Sequence, residues 1–158
     1  MKLFDALNEQ MNFELESAYI YRTMQAYLSA EGMDGMAHFM KKQVEEEVEH
    51  AEKMAAFLEQ AGENLKFRAI NPGQQEFQDI RDVFAQALEH EKVVTSHILE
   101  LMEQAKTEKN EAVEILLQWY VTEQMEEQET FTKLVNRLDR IQGNWGGLYI
   151  LDGQLAHR

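Results

Sequence analysis

Residues 44–58 read VEEEVEHAEKMAAFL, and this stretch decides the fold because its apolar and acidic residues follow a helical period. With a rotation of about 100° per residue, the apolar residues of positions 35–61 form one stripe. The stripe consists of Met36, Met40, Val44, Ala51, Met54 and Leu58. Glu47 lies near its midline, and His50 lies on its flank one turn later. Glu45 and Glu49 point away from the stripe and are typical of a solvated helix face. The stretch therefore predicts a core helix that carries a carboxylate and an imidazole.

Three further helical patterns share this arrangement. Glu14, Glu91 and Glu127 each lie at the centre of an apolar stripe and close to the middle of its helix. The stripe around Glu14 consists of Leu7, Met11, Ala18, Tyr21 and Leu28. The stripe around Glu91 consists of Ile80, Phe84, Ala87, Leu88, Val94, Ile98 and Met102. The stripe around Glu127 consists of Val113, Leu116, Tyr120, Phe131, Leu134, Leu138 and Ile141. Because mid-helix positions of an antiparallel bundle lie at the same height, we expect four glutamates and one histidine to converge on one internal point.

Glycine, asparagine and a single proline divide the chain into helices. Breaks occur at Gly32 and Gly35, near residues 107–110, and at Gly143-Asn144, with Gly146-Gly147 just beyond. Residues 62–78 form a long connection. The expected helices are 4–31, 35–61, 79–106 and 111–141, followed by a short amphipathic helix over 147–156 that carries Leu148, Ile150, Leu151 and Leu155. Abundant Glu, Gln, Ala, Leu and Met indicate an all-α chain.

The connections predict the topology of a single domain over residues 1–158. The first and third links are short, so each joins an antiparallel hairpin. The second link is long enough to cross the length of the bundle. The sequence therefore predicts a four-helix bundle with one long crossover and a short fifth C-terminal helix.

Composition excludes several classes of function. The 158 residues include 29 acidic and 15 basic ones, and the net charge of −14 disfavours nucleic acid as a partner. The acidity is compatible with cations as partners, although it also favours solubility alone. The absence of cysteine excludes disulfides and thiolate sites. With no apolar run of about 18 residues, no membrane span is expected, and residues 1–10 do not look like a cleaved signal peptide. We expect a cytoplasmic protein.

The clustered carboxylates need a neutralising partner, because a buried unpaired carboxylate costs several kcal/mol. No lysine or arginine lies near a stripe centre, and Arg22 and Arg137 lie at the flanks. Protonation of all four glutamates would give a poor core, so a bound divalent metal is the better solution. Oxygen ligands with one imidazole suit Fe(II) or Mn(II), and Zn(II) competes less well. The other histidines are more typical of surface or packing positions; they are His38, His90, His97 and His157.

Four segments resemble the prokaryotic non-haem ferritins. They are residues 8–15 (NEQMNFEL), 47–50 (EVEH), 118–127 (QWYVTEQMEE) and 147–150 (GLYI), and the resemblance covers essentially the whole chain. It implies a ferritin-like fold and an iron storage protein. Such a protein oxidises Fe(II) with O2 or H2O2 at a di-iron ferroxidase centre within one subunit. It stores Fe(III) as a mineral inside a shell of 24 identical subunits.

The resemblance also implies roles for individual residues. Glu14, Glu47 and His50 correspond to ligands of the first iron, with Glu47 as the bridge between the two irons. Glu91 and Glu127 correspond to ligands of the second iron, with Gln124 nearby. A third, outer iron site corresponds to Glu46, Glu123 and Glu126. Tyr21 matches a tyrosine beside the di-iron centre, and Trp119 matches a nearby tryptophan. Both aromatics could donate electrons, although ordinary packing explains Trp119 equally well.

Two related classes fit less well. Bacterioferritins carry Glu-x-x-His on two helices, but here Thr130 stands three residues after Glu127. They also place a haem-ligating methionine where this chain has Val48, so we expect no haem. Rubrerythrin-like proteins add a cysteine-rich module that this chain lacks.

Three other functions compete with iron storage. A di-iron oxygenase acting on an organic substrate needs an internal cavity, and Met40, Tyr21 and Tyr120 leave little room for one. A purely structural bundle is opposed by the carboxylates, which have no cation beside them. A DNA-protecting mini-ferritin places its ligands between subunits, whereas these ligands complete a site within one chain. The apolar fifth helix looks too exposed for a monomer.

Overall fold

The chain folds into five α-helices and contains no β-strand, which confirms the all-α prediction. The structure, a computed structural model, describes all 158 residues. The helices are α1 (Leu3–Ala30), α2 (Asp34–Gln60), α3 (Ile80–Thr107), α4 (Glu111–Ile141) and α5 (Trp145–Leu155). Helices α1 and α2 pack as one hairpin, and α3 and α4 pack as another. No helix of the structure has both the length and the apolar composition that crossing a membrane requires.

Helix α5 begins at Trp145, two residues before the start expected from the sequence. The side chain of Asn144 accepts a hydrogen bond from the Gly147 backbone N–H at 3.0 Å and so caps the helix. Gly146, which the sequence placed in the break before this helix, is thus part of α5. A Cβ at Gly147 would lie 2.9 Å from Cγ2 of Ile141, so glycine permits close packing of α5 on the end of α4.

The long connection between α2 and α3 is held against the outside of α1. The Lys66 carbonyl accepts a hydrogen bond from Asn12 Nδ2 at 2.8 Å. Further along, the Arg68 guanidinium and the Asn71 N–H each donate to Glu16 at 3.0 Å. The connection therefore runs in the same direction as α1. It carries the chain to the opposite end of the bundle, so that α3 runs antiparallel to α1.

The bundle has two apolar clusters rather than one continuous core. One lies towards the C-terminal end of α1 and includes Tyr21, Met24, Leu28, Met36, Met40, Phe84, Phe131, Leu134 and Leu138. The other lies towards the N-terminal end of α1 and includes Leu7, Met11, Ala51, Met54, Leu58, Val94, Ile98, Leu117 and Tyr120. In every long helix, the residues between the two clusters include the glutamate that the sequence placed at the stripe centre. A polar layer thus interrupts the core at mid-height.

Helix α5 packs against the first half of α2. The Met36 backbone N–H donates to Asp152 Oδ1 at 2.7 Å, which satisfies a free donor at the start of α2. A Cβ at Gly35 would lie 1.9 Å from the Asp152 carbonyl oxygen, so the two helices approach at a position where only glycine fits. Of the apolar residues that the sequence assigned to this helix, Ile150 is exposed, as are Trp145 and Tyr149. Leu148, Leu151 and Leu155 are buried.

Candidate metal centre

The polar layer contains the five side chains that the sequence singled out as ligands. Glu14, Glu47, Glu91, Glu127 and His50 are each between 0% and 6% exposed. They come from four different helices, and each lies between the two apolar clusters. Burial at this depth removes the water that normally stabilises a carboxylate charge, so other groups must supply that stabilisation.

Glu14, Glu47 and His50 form the most enclosed group. His50 Nδ1 lies 3.4 Å from Glu47 Oε2 and 3.9 Å from Glu14 Oε2. One ligand atom from each residue lies within 4.8 Å of the others. Glu14 Oε2 and His50 Nδ1 are buried and have no hydrogen-bond partner. Two buried polar atoms without partners, 3.9 Å apart, fit a divalent cation that binds both as ligands.

His50 also faces a second group of acids. Its Nε2 lies 3.6 Å from Oε2 of Glu123, and His50, Glu123 and Glu127 offer atoms within 4.8 Å of one another. Glu123 is partly exposed, whereas Glu127 is buried. The imidazole therefore stands between an enclosed group and one that opens towards the surface.

Glu91 is held by side chains rather than left free. Tyr21 donates its hydroxyl to Glu91 Oε1, and Gln124 Nε2 donates to Glu91 Oε2 at 3.0 Å. Gln124 also donates to Oγ1 of Thr95 at 3.2 Å. These bonds fix the direction of the Glu91 carboxylate, and they place Gln124 and Tyr21 beside the centre, where the resemblance located them.

Two buried amides of the centre were missed by the sequence reasoning. Gln43 Nε2 donates to Glu47 Oε1 at 3.0 Å and to Glu127 Oε2 at 2.9 Å, and it thereby links α2 to α4. Gln10 Nε2 donates to Glu14 Oε1 at 3.1 Å. Each glutamine precedes a site glutamate by four residues, which puts both on the same helical face. A polar residue one turn before a core carboxylate is the signal that would have found them.

The carboxyl groups of the layer strongly favour protons or a bound cation. Burial raises the pKa of Glu14 well above that of an ordinary glutamate, and the charge of Glu47 adds to this. Burial and then the charge of Glu91 likewise raise the pKa of Glu47. For Glu127, burial and the charge of Glu91 raise the pKa to about 9. A metal ion would replace the protons and hold the same groups as carboxylates.

The three acids assigned to an outer site are not equivalent in position. Glu46 is half-buried, and its Oε2 lies 3.0 Å from Nη2 of Arg158. Glu123 faces His50, as described above. Glu126 is exposed and belongs to neither candidate metal group. The structure therefore brings Glu123 to the centre and leaves Glu126 on the outside of α4.

Aromatic rings enclose the centre. Tyr120 donates its hydroxyl to the His50 carbonyl at 2.5 Å. The Trp119 ring lies edge-on to His50 with centroids 5.5 Å apart, and Lys53 Nζ lies 4.4 Å from the centroid of the Trp119 ring. Trp119 is 37% exposed, so its ring extends from the surface of the bundle to His50.

The remaining histidines lie outside the two candidate metal groups. His90 Nε2 is 2.8 Å from the Ser17 hydroxyl, and burial lowers the pKa of His90 to about 4. His97 packs against the ring of Phe13, with centroids 4.6 Å apart. His38 was expected on the outer face of α2, and it is half-buried with its Nε2 3.2 Å from the Arg158 carbonyl. The packing of His90 and His97 agrees with the roles expected for them, whereas His38 is more enclosed than the solvent-exposed position expected for it.

Comparison with known proteins gives a consistent result. The Ferritin family profile, described as a ferritin-like domain, matches residues 4–141. The bacterial non-heme ferritin of Staphylococcus epidermidis is 36% identical over 157 residues, which is 99% of this chain and 95% of the relative. A probable bacterial non-heme ferritin-like protein of Haemophilus influenzae is 33% identical over 151 residues, 96% of this chain and 92% of that protein. The open pore ferritin of the hyperthermophilic archaeon Archaeoglobus fulgidus superposes with a TM-score of 0.98 at 37% identity, covering 100% of this chain and 98% of the other. The resemblance inferred from the sequence is confirmed.

Proposed function

This chain belongs to the ferritin family, and we propose that it oxidises Fe(II) at the buried carboxylate centre and stores the ferric product. The family and the fold support iron storage. The observation that carries the ferroxidase proposal is the pair of unpartnered atoms, Glu14 Oε2 and His50 Nδ1, beside the Glu47 carboxylate. A group of oxygen ligands with one imidazole is the chemistry that Fe(II) accepts, and Mn(II) is the alternative ion for the same ligands.

Iron is the substrate of this reaction. Glu14, Glu47 and His50 would hold one Fe(II), and Glu91 and Glu127 a second, with Glu47 between them. Each ion gives up one electron, so that the pair reduces one O2 and two protons to H2O2, or one H2O2 and two protons to two waters. Cation binding displaces protons from the carboxyl groups whose pKa burial raises. The chain's own contribution is to hold the carboxylates in position and to keep bulk water out.

Hydrogen bonds from neighbouring residues would orient these ligands. Tyr21 and Gln124 fix Glu91, while Gln43 fixes Glu47 and Glu127. Such supporting contacts typically change metal affinity by about 10–100-fold. Tyr21 donates to Glu91 and Trp119 lies edge-on to His50, and both rings are candidates for supplying electrons to a bound oxidant.

Ferric ions would leave the centre through the acids on its open side. Glu123 lies next to His50 and is partly exposed, and Glu46 lies further out. We propose that these two, with a smaller contribution from Glu126, form an outer site through which iron passes. Mineral storage requires a cavity, and one bundle has none. A shell of 24 subunits would provide it, and the exposed Trp145, Tyr149 and Ile150 of α5 offer an apolar surface for assembly.

The test is aerobic addition of Fe(II) to the metal-free protein, with ferric absorbance and particle size followed together. The wild-type protein is expected to oxidise Fe(II) well above the protein-free rate and to accumulate ferric iron in a large assembly. Glu47→Ala should slow oxidation strongly. Glu49→Ala is the matched control, because Glu49 is exposed on the same helix. Oxidation no faster than in the protein-free control, or a Glu47→Ala variant that behaves like Glu49→Ala, would refute the ferroxidase role of this centre.

A further inference from the structure

Arg158, in the tail that follows α5, contacts residues at the edge of the candidate metal centre. The guanidinium of Arg158 donates from Nη2 to Oε1 of Gln43 at 2.8 Å and from Nη1 to the Phe39 carbonyl at 3.1 Å. The same Nη2 lies 3.0 Å from Glu46 Oε2, and the guanidinium carbon lies 4.2 Å from the centroid of the Phe39 ring. Only 21% of the Arg158 side chain is exposed, so these contacts are largely shielded from water.

The contact with Arg158 determines which way the Gln43 amide faces. A guanidinium donates hydrogen bonds and accepts none, so the Gln43 atom that faces it must be the oxygen. The Nε2 atom then faces the centre, where its two hydrogens go to Glu47 and Glu127. The Gln43 side chain thus makes three hydrogen bonds, one at its oxygen and two from its nitrogen. Gln43 is itself 0% exposed.

Resting on the proposed function, we propose that Arg158 is a positioning residue of the metal centre, which acts through Gln43 on the carboxylates of Glu47 and Glu127. Without the guanidinium, the buried Gln43 oxygen loses its hydrogen-bond partner, and only the two bonds to Glu47 and Glu127 hold the amide. The amide is then less firmly fixed, and so are the two carboxylates that it links. Arg158 also neutralises Glu46, the outer acid nearest to Gln43 along α2, and so limits charge repulsion at the rim.

The position of Arg158 depends on how α5 packs against α2. Asp152 and Gly35 fix the position of α5 on α2, and the tail leaves α5 three residues before Arg158. The His38 ring holds the Arg158 carbonyl at 3.2 Å. The packing of a helix outside the four-helix core is thereby linked to the ligands inside it.

The test measures Zn(II) binding to the metal-free assembly by titration calorimetry, so that no redox step enters. Arg158→Met keeps an aliphatic side chain over Phe39 but removes the charge and the donors. We expect the affinity of the tight sites to fall about tenfold, the size typical of a lost supporting contact. Arg158→Lys keeps the charge and a donor and should recover most of the affinity. Lys41→Met is the control, because it removes the same charge from an exposed position of α2.

A double-mutant cycle identifies the route of the effect. If Arg158 acts through Gln43, Arg158→Met should have almost no further effect in a Gln43→Met protein. The inference is overturned if Arg158→Met binds Zn(II) as Lys41→Met does, or if its loss is unchanged in the Gln43→Met background, which would indicate a loosened α5 instead. A wild-type protein that binds no Zn(II) would overturn the proposed function as well. Normal wild-type binding with an unaffected Arg158→Met would overturn this inference alone.

Discussion

His50 Nδ1 lies 3.4 Å from Glu47 Oε2 on the same face of α2, and this buried nitrogen has no hydrogen-bond partner. Apolar side chains at these two positions would give a more stable bundle, because buried polar groups without partners cost free energy. The pair is therefore a cost to the metal-free fold, which the proposed cation would offset.

The first prediction concerns Glu14, whose Oε2 faces this nitrogen at 3.9 Å. Glu14→Gln removes a buried carboxyl group, so the metal-free variant should unfold at the same temperature as the wild type or higher. Adding Zn(II) at about a hundred times its Kd should stabilise the wild type by about 2.7 kcal/mol per site and the variant by much less. Scanning calorimetry with and without Zn(II) measures both effects. Glu52→Gln, at an exposed position of α2, should retain the full metal-dependent gain; an equal gain in Glu14→Gln would contradict the prediction.

The second prediction is that the metal-free protein becomes less stable as pH rises. Burial and Glu91 raise the pKa of Glu127 to about 9, against 4.5 for an ordinary glutamate, and the pKa values of Glu14 and Glu47 are raised as well. Because the pKa of Glu127 is raised, the folded state binds more protons than the unfolded state between pH 4.5 and about pH 9. The resulting stability is complete below pH 4.5 and is lost as pH rises towards 9.

Glu127→Gln isolates this contribution from the general effect of net charge. The variant should gain stability relative to the wild type as pH rises, because it removes the group that must ionise in the interior. Chemical denaturation of both metal-free proteins at several pH values measures the difference. A difference that stays constant or shrinks between pH 5 and pH 9 would show that Glu127 has no raised pKa.

The sequence predicted those residues of the centre whose positions follow from the apolar stripe of a single helix. Glu14, Glu47, Glu91 and Glu127 could be found because each interrupts an apolar stripe, and the crossover places all four at one height. Gln43 could have been found in the same way, since it lies one turn before Glu47, but a glutamine near an apolar stripe is common and draws no attention. The resemblance assigned Glu126 to the outer site, and this stays a prediction; one residue before Glu127 the helix has turned by about 100°, so Glu126 is exposed.

The contact of Arg158 with Gln43 could not be predicted from sequence patterns. Its position depends on how α5 docks on α2, which in turn depends on Gly35 approaching the Asp152 carbonyl. No periodicity within either helix encodes that contact. The same reason explains Ile150, which belongs to the apolar residues of α5 but lies on the side that α2 does not cover.

The third prediction tests how Tyr21 supports Glu91. Tyr21→Phe removes the hydroxyl that donates to Glu91 Oε1 and keeps the buried ring, which packs parallel to Phe131 with centroids 5.9 Å apart. We expect the fold to persist and the affinity for Zn(II) to fall by about tenfold, with slower oxidation of Fe(II). Tyr19→Phe is the control, because Tyr19 is exposed on the same helix. Equal Zn(II) affinity in the two variants would show that the hydroxyl does not support the site.

The fourth prediction distinguishes the outer acids. Glu123 lies 3.6 Å from His50 Nε2, whereas Glu126 is exposed and outside both candidate groups. Glu123→Gln should therefore lower the number of Zn(II) ions bound per subunit, and Glu126→Gln should change it little. Equilibrium dialysis of the two variants beside the wild type gives the stoichiometry directly. A larger loss in Glu126→Gln than in Glu123→Gln would mean that an outer ion is held from the exposed face.

The fifth prediction concerns the junction of α5 with α2. Gly35→Ala places a Cβ 1.9 Å from the Asp152 carbonyl oxygen, and both sides of the clash are helix backbone that cannot move independently. Helix α5 must shift outwards, which breaks the bond from the Met36 N–H to Asp152 and moves Arg158 away from Gln43. Overpacking of this kind costs about 1–3 kcal/mol, so the unfolding temperature should fall.

Gly153→Ala supplies the matched comparison, because a Cβ there meets no atom within 4 Å and alanine favours the helix by about 1 kcal/mol over glycine. The two substitutions add the same methyl group to the two helices of one junction. We expect Gly35→Ala to lower both the unfolding temperature and the Zn(II) affinity, and Gly153→Ala to lower neither. If Gly35→Ala lowers the unfolding temperature alone, then α5 stabilises the bundle without acting on the metal centre. If it lowers neither, the close approach of α5 to α2 is not a feature of the protein in solution.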